Sequence, residues 1–287
     1  MDPVCDSRTP SERWNERLSG GKQAMPIGPF ERDVLRCIAS NRHPDSFVGG
    51  ATVLHQSTDS PRSSRDVDVF HDATVALSAS VHADTAALRA SGFDVELEPD
   101  RETFRRAIVQ QRGRQTKVEW VVDSAFRFFP VEPDPELGWR LNFWDAATNK
   151  VLALAGRSEL RDCLDIVYLH KRHLHLGALT WAAVGKDPGF TPESLIDWMR
   201  RHAVFRSDDV RALTTTEPVD LKVLKSEWLE TSESALELVR RLPLDDAGCL
   251  YLNAESNHPL CPDPVSPEFS TLIRHFGSVK GAWPRIV

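Results

Sequence analysis

Cysteine is scarce in this 287-residue chain. The five residues, Cys5, Cys37, Cys163, Cys249 and Cys261, are odd in number and form no CxxC pair. That argues against a disulfide framework and a thiolate zinc site, and free thiols suit a reducing cytoplasm. No apolar run approaches the roughly 18 residues that a membrane span needs. The opening stretch MDPVCDSRTPSERW lacks the basic and apolar parts of a secretory signal. The expectation is a cytoplasmic protein with no membrane partner. Positive charge is also short. A net charge of −7 speaks against non-specific coating of nucleic acid, while leaving room for a local basic groove. Internal repeats and low-complexity segments are absent. What remains, 41% hydrophobic and 27% charged residues, is enough to fold one large domain or two modest ones.

Three parts follow from the patterning. Residues 1–28 are polar, with Ser, Gly and Pro spread through them, and read as a weakly ordered arm with a short helix around Trp14. Residues 29–130 read as an α/β core. FERDVLRCIAS (30–40) has a helical apolar stripe, Ser46-Phe47-Val48 is a short strand, and ATVLHQS (51–57) gives a helical turn or two. SRDVDVF (64–70) alternates as a strand, ADTAALRAS (83–91) is helical and stops at Gly92, and FDVELE (93–98) is a strand. Residues 103–110 and 116–122 are two more strands around a turn at Gly113. The order predicts a mixed sheet. The proline-rich bridge 128–139 cannot continue a central strand or a helix and marks the boundary. Residues 131–287 read as mostly helical, over 145–155, 158–173, 177–185, 192–203 and 219–241. A small hairpin in the tail and a last short helix near 267–277 complete the expectation.

Two acidic residues carry the chemistry. In Asp66-Val67-Asp68-Val69-Phe70, side chains at i and i+2 share a strand face, so Asp66 and Asp68 stand together while the valines face the core. Carboxylates that close repel unless a divalent cation neutralises them, and all-oxygen ligation suits Mg²⁺ (or Mn²⁺). Gly49-Gly50 precedes them, free of side chains that would keep a phosphate at a distance. The short helix after it turns its positive end toward an anion. Ser64, just before the pair, is a further candidate phosphate contact. A third acid, Glu119 in Lys117-Val118-Glu119-Trp120, would complete the metal site or accept the proton of an attacking hydroxyl, with Asp123 as fallback.

The second half adds cations and acids at helical spacing. Asp145 reads as the N-cap of a helix starting at Ala146, on which Lys150 lies beside an apolar stripe. There Lys150 either snorkels along the surface or places its ammonium on a nucleotide's phosphates. On the next helix Asp162 falls among apolar neighbours and needs a partner such as Lys150 or Arg157. By angle Asp165 faces solvent, as do Arg161 and Tyr168. His170, His173 and His175 adjoin Lys171 and Arg172, which repel a cation, so they read as a solvated helix end rather than a metal site. Arg101, Arg105, Arg106, Arg112, Arg114 and Lys117 make a basic hairpin in an acidic chain, suited to an RNA end, a second nucleotide, or simply to solvent.

The string VGG…DVDVF…VEW resembles the DNA-polymerase-β-like nucleotidyltransferases, whose signature is Gly-Gly or Gly-Ser, a spacer, then D-h-D-h. Lys150, Arg157 and Arg161-Asp162-Cys-Leu-Asp165 are similar to the helical signature of AbiEii/AbiGii-type (MenT-like) nucleotidyltransferase toxins, over roughly residues 45–175. The resemblance implies a polymerase-β-like α/β (α+β) fold with a mostly helical C-terminal half. It also implies transfer of an NMP from an NTP to an acceptor, with RNA (a tRNA 3′ end) as acceptor and the chain acting as the toxin of a toxin–antitoxin pair that has a cognate antitoxin. Asp66, Asp68, Glu119, Lys150, Asp162 and Asp165 would then be catalytic. Gly49, Gly50, Ser64, Lys150 and Arg157 would hold the nucleotide. The competing expectations are a kinase-like phosphotransferase using the same site, a nucleotide-sugar glycosyltransferase with a DxD motif, and a nucleotide-binding partner without turnover.

Overall fold

The computed structural model describes residues 27–57, 60–99, 101–211 and 213–284. The expected arm over 1–28, with its helix at Trp14, lies almost wholly outside the described residues. In chain order, helix α1 (Pro29–Ile38) leads to β1 (Ser46–Val48), α2 (Gly50–Leu54), β2 (Asp66–His71), α3 (Thr74–Ala90), β3 (Asp94–Leu97), β4 (Phe104–Gln111) and β5 (Arg114–Val122). Then come β6 (Phe126–Arg127), β7 (Glu132–Asp134), β8 (Gly138–Arg140), α4 (Phe143–Gly156), α5 (Leu160–Arg172), α6 (Leu176–Ala183) and α7 (Pro192–His202). Helices α8 (Ser207–Arg211) and α9 (Leu221–Arg241) precede β9 (Cys249–Leu252), β10 (Ile273–Phe276) and β11 (Ser278–Val279).

Seven strands form one mixed sheet in the order β3-β4-β5-β2-β1-β8-β7. Strand β2 runs parallel to β5 and antiparallel to β1, and β1 runs parallel to β8. Alternation along β2 and β5 divides the faces. Val67, Val69, Val118 and Trp120 are buried against Val34, Leu35 and Ile38 of α1 and Leu77 and Leu88 of α3. Each such side chain contributes about 1.5–3 kcal/mol by leaving water. Trp120 also donates its indole N–H to Asp84 at 2.7 Å, which satisfies the one polar atom of a fully buried ring. The opposite face carries Asp66, Asp68 and Glu119. A second core, built from α4 to α7, α9 and the 128–129 segment, packs beside it.

The strand and helix expectations hold for β1 to β5, α1 and the long C-terminal helices. Four details differ. Helix α3 begins at Thr74, nine residues before the expected start, because Leu77 and Ser80 are buried on the same face as Asp84 and Leu88. The proline-rich bridge returns to the sheet as β7 and β8. Its prolines are tolerated because β7 is an edge strand. The expected helix at 267–277 is a single turn of 3₁₀ helix over Pro267–Thr271, followed by β10, whose four residues pair with β9. Asp145 is not a cap. The helix starts at Phe143 behind Asn142, whose side chain accepts from Trp144 N at 2.9 Å. Asp145 is buried, accepts from Phe128 N and Phe129 N at 2.8 and 2.9 Å, and pairs with Lys186 at 2.7 Å.

Candidate active site

The β1–α2 turn sets the first wall. Gly49 N donates to Asp68 O at 3.1 Å, which fastens the turn to β2. Gly50 has φ +63°, and a Cβ placed there would lie 2.2 Å from Asp68 Oδ2. Only glycine adopts that backbone cheaply and leaves the carboxylate in place. A Cβ at Gly49 would meet the Phe70 ring at 2.6 Å. The glycine pair therefore lies directly against Asp68, the second acid of the pair.

The floor is the register between β2 and β5. Asp66 stands opposite Lys117 and Asp68 opposite Glu119. Burial, with Glu119 and Asp66 nearby, pushes the Asp68 carboxyl up to about 6, against the opposing pull of Lys150 and Arg161. Two arginines restrain the flanking acids. Arg161 Nη1 donates to Asp66 Oδ2 at 3.1 Å, and Arg106 Nε donates to Glu119 Oε1 at 2.8 Å. Among the described residues no three His, Cys, Asp or Glu side chains converge closely enough to hold a metal by themselves. Glu119, expected as the third ligand, is beside Asp68 but engaged by Arg106. Asp66 and Asp68 still fit Mg²⁺, which is commonly held by one or two carboxylates, with water and substrate phosphates completing the shell. Asp123, the fallback, is exposed at the strand end and accepts from Ser124 N.

Helices α4 and α5 supply the opposite wall. Lys150 is buried, its Nζ 2.8 Å from Asp162 Oδ1 and 3.1 Å from Asp165 Oδ2. Arg157 Nε holds Asp162 Oδ2 at 2.8 Å. Burial opposes charge on Asp162, but Lys150 and Arg157 outweigh it and hold its carboxyl below the ordinary range. Asp165 is fully buried, contrary to the helical-angle reading. Arg62 grips it at 2.7 and 2.6 Å, and His55 Nε2 lies 2.8 Å from Oδ1. Despite burial, Arg62, His55 and Lys150 hold it well below the usual carboxylate range. His55 in turn shares a 2.6 Å hydrogen bond with Ser60. Arg161 and Tyr168, read as solvent-facing, turn inward. Arg161 reaches Asp66, and Tyr168 is buried against the His55 ring.

These walls enclose a cavity of about 540 Å³ into which Asp66, Asp68, Glu119, Lys150, Arg157 and Ser64 all reach. Ser64 is buried and donates to Asp66 O at 2.9 Å. The chain from 213 to 216 closes one end: Ser63 N donates to Thr214 O and Thr216 N to Pro61 O. His170 and His175 face each other away from this cavity, with His175 against Ser234. The sequence reading missed Arg62, His55, the inward turn of Arg161 and the contact of Arg106 with Glu119. The available signal was electrostatic: Asp165, if buried, requires cations, and the spacer before Asp66 holds Arg62 and Arg65.

No family model and no curated protein matches the chain. Solved structures do. MenT4, a nucleotidyltransferase toxin of Mycobacterium tuberculosis, superposes with a TM-score of 0.52 at 16% identity, over 75% of this chain and 84% of that one. JHP933 of Helicobacter pylori gives 0.47 at 17% identity, over 78% and 96%. The match to MenT4 shows a shared nucleotidyltransferase fold, in agreement with the resemblance carried by the sequence motifs.

Proposed function

We propose that this chain is a Mg²⁺-dependent nucleotidyltransferase that moves an NMP from an NTP to a hydroxyl of RNA, with a tRNA 3′ end as the acceptor. The observation that carries the reading is the meeting of Asp66, Asp68 and Glu119 on a cavity that Lys150 also lines, with Gly50 directly against Asp68. Asp66 and Asp68 would hold the cation, which supplies charge neutralisation and fixes a phosphate oxygen. Gly50 gives the polyphosphate access to the backbone. Lys150, held in place by Asp162 and Asp165, presents a compact positive charge to it, and Arg157 adds a second. The acceptor oxygen forms a bond to the α-phosphorus, the bond from that phosphorus to the β-phosphate oxygen breaks, and pyrophosphate leaves. The acceptor proton passes to Glu119. Positioning and charge stabilisation, rather than covalent catalysis, account for the rate.

The described residues contain no helix long and apolar enough to cross a membrane. That suits a cytoplasmic toxin restrained by an antitoxin protein, the biological setting we propose from the motif resemblance and the fold shared with MenT4. The test is incubation with each NTP, Mg²⁺ and purified tRNA. Label from the α-phosphate should enter RNA with release of pyrophosphate, and Asp68→Ala should abolish it. Transfer of γ-label alone would make the chain a phosphotransferase. No NTP consumption with tRNA or total RNA would reduce it to a nucleotide-binding protein.

A further inference from the structure

The sheet face that bears the carboxylates continues past Glu119. On β4, Arg106 stands in register opposite Glu119, and Phe104 lies two residues earlier on the same face, while Ala107 and Val109 are buried on the other. Beyond them a second cavity of about 340 Å³ opens, lined by Glu98, Pro99, Arg101, Phe104 and Arg106. Arg106 links the two cavities. Its Nε holds Glu119 at 2.8 Å, its Nη1 reaches Glu98 at 3.3 Å, and its guanidinium stands 5.2 Å above the Phe104 ring. Phe104 is half-buried, and Arg101 is exposed at the rim.

We propose that this second cavity takes the terminal nucleotide of a single-stranded nucleic-acid acceptor. This deepens the nucleotidyltransferase reading and rests on it. The aromatic ring offers a stacking surface that accepts any base, and Arg101 and Arg106 offer charge to the flanking phosphate. A triphosphate fits the first cavity, where Lys150 and Arg157 stand. The attacking hydroxyl must come from the other side of Asp68, and Glu119 separates the two cavities there. The contact between Arg106 and Glu119 ties acceptor binding to the acid that receives the proton. Among the described residues Glu98 is the one carboxylate lining the cavity, and its ion pair with Arg106 gives way as the phosphate arrives.

The experiment measures binding of a fluorescein-labelled single-stranded oligoribonucleotide by anisotropy, in an Asp68→Asn background that prevents turnover. Phe104→Ala and Arg101→Ser should each weaken binding about tenfold, the size of one lost stack or phosphate contact. NTP affinity, measured separately, should stay within about twofold, which also reports folding. Oligonucleotide affinity unchanged in both variants overturns the subsite, while the nucleotidyltransferase reading stands if the otherwise wild-type chain still labels RNA. Label entering protein rather than RNA also overturns it. If the wild type consumes no NTP with any RNA, the reading beneath the proposal falls with it.

Discussion

Asp68 and Glu119 stand directly opposite each other on two parallel strands, and Asp68 bears the strain of that pairing. With its carboxyl pushed up to about 6, the charged form opposes folding, so stability falls as pH rises from the ordinary carboxylate range toward 6. Without divalent cation at neutral pH, Asp68→Asn should therefore raise the unfolding free energy by about 1–3 kcal/mol. The same variant should lower NMP transfer by at least about a thousandfold. Urea titrations in chelator, set beside α-label transfer, check both. A loss of stability in chelator would contradict the account.

Asp165 should behave in the opposite way. It is buried among Arg62, His55 and Lys150, and removing it strands the charges of Arg62 and Lys150 and takes the partner of His55 Nε2. Asp165→Ala should cost about 3–5 kcal/mol in urea unfolding, with or without cation. A variant as stable as wild type would mean that the cluster is wetter than its geometry indicates.

Gly50→Ala tests the close approach of backbone to carboxylate. The added Cβ would meet Asp68 Oδ2 at 2.2 Å in a backbone conformation that costs an L-residue about 1–2 kcal/mol. The expected result is a folded protein with transfer activity reduced at least about tenfold. Gly49→Ala, pressing on Phe70 instead, should lose stability first. Thermal melts and initial rates separate the two.

His71 gives the fold a pH dependence of its own. It is fully buried between Ser46 and Val121, and burial, with Arg42 nearby, pushes it down to about 4. Its folded value lies below its unfolded one, so the unfolded chain binds the extra proton. This contribution to stability is complete above pH 6.5 and is lost as pH falls toward 4, by at most about 1.4 kcal/mol per unit. Denaturation midpoints of wild type and His71→Gln should converge over that window. Parallel curves would rule His71 out as the source.

The strict alternation of β2 and β5 made the sheet faces legible, because a period of two leaves Asp66, Asp68 and Glu119 no other side to occupy. The glycine pair was legible through its order before them. What escaped were contacts with no local signal: Arg62 to Asp165 and Arg161 to Asp66, 103 and 95 residues apart, and the pairing of β9 with β10. Helical angle alone put Asp165 in solvent, because angle reports one helix and not His55 and Arg62, which hydrogen-bond it from another part of the chain. The tail at 267–277 has residues fit for a helix, but Ile273–Phe276 pair with Cys249–Leu252, and no local pattern records that partner.

One hydrogen bond bears on how the chain could be divided. Leu141 N donates to Val48 O at 2.8 Å, so the outer neighbour of β1 comes from the far end of the proline-rich bridge. A polypeptide ending at residue 130 would leave β1 as a raw edge, open to pairing with other molecules. Two separately translated pieces cut within the bridge should instead seek each other out and reassemble into a split enzyme.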